Sequence, residues 1–560
     1  MNLKRAFVKP ELRFNKLSIG ISIALLAATT LAASSAHALE LDWSGKFRTE
    51  FHFIKNYTMD GSATGSTVDN ARIVTNTVNG VQNKYPSGYY IPGGGNNNAT
   101  FETLFLKLQP KAIVNDNIVI KSEFWAGNPA YGLFGDAYPY TFDQRQFYST
   151  QSRGAFFSAQ RLWGEFTTDF GVITLGRAPL NWGLGVFWNA GDNLWDRYES
   201  TGDQIRLTSK FGSFSFSPGV AIYSTGNALG GTCTFTGGAG TNLCTPGLGS
   251  GSVADYFIQL KYENLEEDFE GGVNFVRRIA GGSQDNGANP PNLANPGTGP
   301  QDPTSNTTAS PFLSTAGMSY NTWDLYAQKK LGKLRLAAEV PITSGKVAGV
   351  DYSTVAVAAE ADWRINDPWE MQIRGGRAPG QAGTSSTTVN GFKAYFFNPN
   401  YKIGTILFNY QLLNLSGYLG PNTLNNPSAN QSNLRSPFDN PITNATYLSW
   451  TGMLHADKWT FNTGLLWAKA NQTAKASDAF FFNTYKREFE ARNAPKDQGS
   501  SLGVEWDTGA AFQWDEYFMF RLDLGLLFPG DYFKYSNAAS GAENVTDTVF
   551  ATVFRVGVNF

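Results

Sequence analysis

Hydrophobic side chains fall on every second position through long stretches of this chain. Leu41, Trp43, Gly45, Phe47, Thr49, Phe51 and Phe53 alternate with Asp42, Ser44, Lys46, Arg48, Glu50 and His52. A period of two puts successive side chains on opposite faces of a strand, so this segment predicts a strand with one apolar side and one charged side. The far end repeats the pattern. Phe550, Thr552, Phe554, Val556, Val558 and Phe560 share one face, and Arg555 and Asn559 lie on the other. A tilted strand crosses a bilayer in about 9–11 residues, and a charge on its lipid face at mid-depth costs roughly 2–4 kcal/mol. That cost explains why the polar residues of 41–53 keep to one parity.

The alternation recurs in pairs joined by compact turns of Asn, Asp or Gly, the residues that tight turns favour. Residues 104–108 turn at Asn115, Asp116 and Asn117 into 118–126, and 162–166 turn at Asp169, Phe170 and Gly171 into 172–176. Further pairs are 256–262 with 269–275, 323–331 with 334–340, 355–363 with 369–375, and 447–454 with 459–467, followed by 502–513, 518–527 and the terminal strand. This gives nineteen candidate strands. Bacterial single-chain barrels have even numbers, so the expectation is an all-β transmembrane antiparallel barrel of about 18 strands, within 16–20. Residues 392–412 are the segment whose assignment decides the count.

Long connections near 55–100, 129–156, 180–202, 224–252, 280–320, 413–444 and 471–498 are rich in Gly, Asn, Ser, Thr and Pro. Short turns at one end and long loops at the other predict a periplasmic and an extracellular side. At the amino end, Lys4, Arg5, Lys9, Arg13 and Lys16 precede an apolar run over 17–31 and then Ala36-His37-Ala38. This reads as a secretory signal peptide over 1–38, leaving 39–560 as the barrel. Strand one begins at the expected mature terminus, which leaves no room for a plug domain. Without residues 1–38, 39 Lys/Arg and 45 Asp/Glu remain, a formal charge of −6. Such a balance gives no reason to expect nucleic acid as a partner. No cofactor and no metal are expected. Cys233 and Cys244 lie in one long loop of an exported chain and read as a disulfide.

After Gly176-Arg177-Ala178-Pro179 comes a loop holding Trp182, Trp188 and Trp195 with Asp192, Asp196 and Arg197. The stretch 169–177 resembles a segment of Gram-negative porins in which the Arg projects into the channel and the next loop folds inward. The resemblance implies that Arg177 lines the pore and that Asp192, Asp196 and Arg197 belong to its constriction. Gly376-Arg377-Ala378-Pro379 echoes the first motif and puts Arg377 in the lumen too, alongside Arg206 on the inward parity. The three Trp either offer faces on which sugars stack or anchor the loop to the wall. Phe560, closing the last strand, resembles the sorting signal read by the barrel-assembly machinery.

Residues 502–507 and 524–533 resemble the alginate-export type of outer-membrane barrel, whose members are eighteen-stranded channels for an anionic polysaccharide. Leu502 and Val504 read as lipid-facing there. The inward candidates of this chain are mixed in sign: Glu123, Glu165, Glu360 and Asp362 beside Arg161, Arg206, Arg374 and Arg555. The expectation is therefore a porin-like channel in the outer membrane of a Gram-negative bacterium, in contact with its lipid and lipopolysaccharide, that passes small hydrophilic solutes. Sugars are among the candidate solutes. A structural or adhesive surface protein with an occluded pore is the alternative. An outer-membrane hydrolase is disfavoured, because past residue 38 the only His are His52, on an inward face, and His455, at a turn. General porins are trimers and alginate-export types monomers, so both states stay open.

Overall fold

The computed structural model describes residues 40–57, 59, 73–78, 81–86, 98–127, 157–225, 232–233, 244–245, 252–280, 318–347, 350–386, 389, 391–412, 438, 440–485 and 488–560. Residues 1–38, expected to be a signal peptide, lie outside them. Eighteen wall strands run in chain order around a closed ring. The first nine are β1 (Glu40–Lys55), β2 (Ala99–Asn115), β3 (Ile118–Gly127), β4 (Phe157–Thr168), β5 (Gly171–Pro179), β6 (Thr201–Phe211), β7 (Phe214–Thr225), β8 (Ser252–Asn264) and β9 (Phe269–Ala280). The second nine begin with β10 (Met318–Leu331), β11 (Leu334–Val347), β12 (Val350–Val355 and Val357–Arg364) and β13 (Trp369–Ala378). They end with β14 (Ala445–Ala456), β15 (Trp459–Ala470), β16 (Ser501–Gln513), β17 (Phe518–Pro529) and β18 (Val549–Asn559). The two pieces of β12 count once, because both pair with β11 on either side of Ala356.

All wall pairings are antiparallel, and β18 returns to β1 with Phe47 opposite Val558 and Phe51 opposite Phe554. Closure gives every wall strand two neighbours, which is what a backbone surrounded by hydrocarbon requires. Phe560 completes the seam. Its N–H donates to the Gly45 carbonyl at 2.9 Å, and the Gly45 N–H donates to the Phe560 carbonyl at 2.7 Å. The Phe560 ring fills the space above Gly45, where a Cβ would stand 2.6 Å from its Cζ.

The strand alternation sorts the side chains as the sequence predicts. Exposed on the outside are Phe51, Phe53, Ile258, Leu260, Leu325, Leu336, Leu465, Trp467 and Phe554, while Glu50, His52, Asp255, Asp324, Glu339 and Leu466 are buried within. Trp363, Trp369, Trp459, Trp514 and Tyr517 are exposed beside the short turns, and this aromatic girdle marks the periplasmic interface. A closed, even-stranded, apolar-jacketed barrel is the architecture of bacterial outer-membrane proteins. The chain is accordingly an outer-membrane β-barrel of a Gram-negative bacterium. Among the described residues no helix is long and apolar enough to cross a membrane.

One open assignment is settled and one expectation is corrected. Residues 392–412 add no wall strand: Gly391–Phe392 pairs in parallel with β12, and the rest runs as coil inside the ring. Leu502 does not face lipid. A bulge at Gly503, whose φ is +110°, shifts the register and turns Leu502 inward, while Val504 and Trp506 keep the outward parity.

Leu465→Arg sets a cation in the middle of the apolar band of β15 and is expected to cost roughly 2–4 kcal/mol. Thr460→Arg, on the inward parity of the same strand, is expected to cost about 1 kcal/mol or less. Urea titration of the barrel refolded in lipid vesicles reads both, and equal losses would contradict the assigned faces.

Candidate functional site

Residues 180–200, between β5 and β6, cross the interior from wall to wall. Burying a loop leaves its backbone polar groups to be satisfied without water. On one side the Glu339 carboxylate of β11 accepts three backbone N–H groups: Leu184 at 2.5 Å, Val186 at 3.3 Å and Phe187 at 3.1 Å. On the other side the loop presents carbonyls to cations. Arg48 donates to Leu194 O at 2.6 Å and Lys107 to Gly191 O at 3.1 Å, while Lys46 reaches Asp192 O and Arg161 reaches Ala190 O. Since β1 and β11 stand on nearly opposite arcs of the ring, the loop is clamped across the lumen between an anion and four cations.

A second buried segment, within 391–412, is held by the same device. The Glu505 carboxylate of β16 accepts the Ile406 and Leu407 N–H groups at 2.7 and 2.6 Å, and Asp507 accepts that of Thr405 at 3.2 Å. The two segments interlock. Asn400 Oδ1 accepts the N–H groups of Arg197 and Tyr198, at 3.1 and 2.9 Å, and the Asn398 N–H donates to Val186 O at 2.7 Å. Tyr395, Phe397, Tyr401, Ile406, Tyr410 and Phe438 then pack with wall residues into one apolar cluster.

Nearer the short turns, inward side chains are half-buried and form ion pairs of both signs. Lys121 meets Glu165 at 2.9 Å, Lys261 meets Glu270 at 2.7 Å, and Arg374 meets Glu360 at 3.5 Å. Arg335 bridges Glu360, at 3.2 Å, and Asp362. The expected mixed lumen takes the form of cross-wall pairs.

The candidate residues are placed as follows. Asp192, at the loop's crossing point, keeps its carboxylate 61% exposed, 3.4 Å from Arg161. Asp196 turns back to accept the Asn193 N–H at 2.9 Å, and burial raises its pKa. Arg197 is buried, paired with Glu50 and lying over the Phe438 ring at 3.5 Å, so its charge belongs to the scaffold. Arg206 faces inward with Gln204, near Glu165. Trp182 and Trp188 are buried against Phe257, Val276 and Tyr326 and anchor the loop, which removes them as sugar platforms. Gly272 permits this, since a Cβ there would lie 2.9 Å from Trp182 Cη2. Trp195 is half-buried over Gly557, with the Arg555 guanidinium 5.5 Å from its ring.

Arg177 and Arg377 do not face the lumen. Arg177 shares the parity of outward Leu175 and pairs with Asp203 at 2.7 Å on the outer surface, and Arg377 shares that of Ile373. Cys233 stands opposite Cys244 in a two-residue ladder, Thr232–Cys233 with Cys244–Thr245, and their side chains lie outside those described. His52 is buried between the Tyr410 hydroxyl, 2.7 Å from Nδ1, and Glu50, 3.2 Å from Nε2, with its ring stacked on Phe101. Sequence reasoning missed Glu339, Lys46 and Lys107 as loop anchors. Their inward parity was the only signal available.

Glu199, where the loop rejoins β6, is the titrating group of the crossing. Burial raises its pKa to about 8; Arg161 opposes that shift and Glu123 adds to it.

No family model matches the chain, and no curated protein matches it in sequence. Neither comparison supports the alginate-export resemblance. Among solved structures the chain is similar to OprD of Pseudomonas aeruginosa, at 9% identity and a TM-score of 0.43 over 94% of this chain and 96% of that one. It is also similar to OccK9 (OpdG) of the same organism, at 11% and 0.42 over 93% and 99%. In-vitro folded OmpT of Vibrio cholerae is similar at 9% and 0.32 over 94% and 99%. The barrel assignment rests on the strand pairing itself.

Glu339→Ala removes the acceptor for three buried N–H groups and is expected to cost about 3 kcal/mol or more, with proteolysis appearing near residues 184–187. Glu339→Gln, which keeps one acceptor oxygen, is expected to lose less. Urea midpoints and limited proteolysis measure both, and unchanged cleavage in the Ala variant would contradict the anchoring role.

Proposed function

We propose that this barrel is a passive diffusion channel for small hydrophilic solutes, with its constriction where residues 180–200 cross the lumen. The observation that carries the reading is the contrast between an apolar-packed centre and an inner wall of half-buried ion pairs. Ion pairs of this kind keep water beside them, and barrels of sixteen or more strands leave an aqueous channel unless loops fill it. Solutes then pass beside the loop, past the Asp192 carboxylate and the Trp195 face. A Cys233–Cys244 disulfide would tie down the loop that carries both cysteines.

Sugars fit as cargo through Trp195, whose ring is the loop indole left partly open. The mixed lumen offers an anionic polysaccharide no continuous basic path, so the alginate-export cargo is not carried over. A second reading, a surface protein with a closed pore, draws support from the interlocking of the two inner segments through Asn398 and Asn400. Planar-bilayer recording separates the two: discrete conductance steps support the channel, and silent membranes favour the closed surface protein.

The pH dependence has a definite sign. A carboxyl whose folded pKa is about 8, against an ordinary 4.5, holds its proton more tightly in the folded loop. It therefore contributes stability at low pH that is lost as pH rises through about 8. Ionisation adds a negative charge beside Glu123 and Asp192, so cation preference should grow between about pH 7 and 9. Reversal potentials in a salt gradient measure this, and Glu199→Gln should flatten the change. For sugars, Trp195→Ala should weaken channel block by maltooligosaccharides about fivefold or more, and unchanged block would exclude stacking there.

A further inference from the structure

The outer face of the wall carries cations that the lumen does not use. On β13, outward Ile373 is followed at the same parity by Gly375 and Arg377; on β15, outward Leu465 and Trp467 are followed by Lys469. Both strands rise from short turns, so these cations stand at the extracellular edge of the lipid-facing band. They are also in register. Arg377 lies opposite Thr446 on β14, and Thr446 lies opposite Lys469. Two strand spacings separate the cations by about 10 Å, within reach of a shared ligand for side chains of that length. Thr446 between them is short, and its hydroxyl is fixed by Asn471 Oδ1 at 2.7 Å, whose amide in turn donates to Ala378 O at 2.8 Å. The result is a shallow polar platform with a cation on each side.

Arg177 on the outer face, at the extracellular end of β5, pairs with Asp203. Arg377 and Lys469 enter no ion pair among the described residues. An unpaired cation at a membrane edge extends toward the head groups, and guanidinium with ammonium is the donor set that captures phosphate. The opposite rim is different, since aromatic side chains such as Trp363, Trp369 and Trp459 dominate there.

We propose that Arg377 and Lys469, on either side of Thr446, form a binding site for the phosphate of a phosphorylated glycolipid in the outer leaflet. The occupant follows from charge complementarity and position: the face is bathed in lipid, the site lies at its extracellular edge, and the glycolipid of that leaflet carries phosphate there.

The test uses the full chain purified in detergent and titrated with diphosphoryl lipid A, with retention read by native mass spectrometry. The Arg377→Ala/Lys469→Ala variant is expected to retain lipid A roughly thirtyfold more weakly than the unaltered chain. Dephosphorylated lipid A should bind the unaltered chain no better than lipid A binds the variant. Arg277, an outward cation on β9 between Tyr256 and Asn321, serves as the comparison, and Arg277→Ala should leave retention nearly unchanged. Equal retention by the double variant would overturn the site. So would an equal loss in Arg277→Ala, which would show charge without position, or equal binding of phosphatidylglycerol, which would remove the glycolipid. Should the double variant fail to fold, Arg377→Lys/Lys469→Arg keeps both charges, and full retention of lipid A by it supports the proposal while loss of binding contradicts it.

Discussion

The interior of this barrel depends on carboxylates that accept backbone N–H groups. Glu339 and Glu505 each stand on the inner wall, and each takes up consecutive amides of a segment that would otherwise hold unpaired donors in a dry place. The complementary half of the device lies on β1, β2 and β4, where Lys46, Arg48, Lys107 and Arg161 take up the carbonyls of 190–194. A loop has as many acceptors as donors to satisfy, so an anion alone could not hold it. The two-sided arrangement lets an irregular backbone cross a space that the wall's own hydrogen bonds cannot reach.

That device also reshapes the electrostatics of the lumen. Cations that parity places inside the ring are engaged by loop carbonyls or by Glu50, Glu123 and Asp523, and little free positive charge is left for a solute to meet. What faces water are pairs, such as Lys121 with Glu165, whose fields largely cancel beyond a few ångströms. Discrimination falls to the groups at the crossing that stay open to the lumen, Asp192 foremost, with its carboxylate 61% exposed.

Much of the wall was legible from period two alone. Glu123, Glu165, Glu360, Asp362, Arg161, Arg206, Arg374 and Arg555 all occupy the inward face that alternation assigns them. Arg177 and Arg377 went astray because the motif resemblance outweighed parity: Ile173, Leu175 and Arg177 share one face, and that face is outside. Leu502 could not be placed by counting, since the extra residue at the Gly503 bulge inverts the alternation after it. The buried segment at 391–412 is as aromatic as a strand, and composition does not distinguish a lipid-facing ring from one packed within. Glu339's role was out of reach for another reason. Parity gives its side, but the amide it holds at Leu184 is 155 residues away in the chain.

The hollow over Gly45, filled by the Phe560 ring, bears on how the barrel forms. The strands that flank the seam are the first and the last, separated by almost the whole sequence, so their pairing carries the largest loop-closure entropy in the molecule. Until the last strand arrives, β1 from Lys46 to Lys55 has no partner on that side, and the Gly45–Phe560 pair closes the end of the seam. The Phe560 ring over Gly45 thus packs at the end of the pairing that joins the two strands farthest apart in the chain.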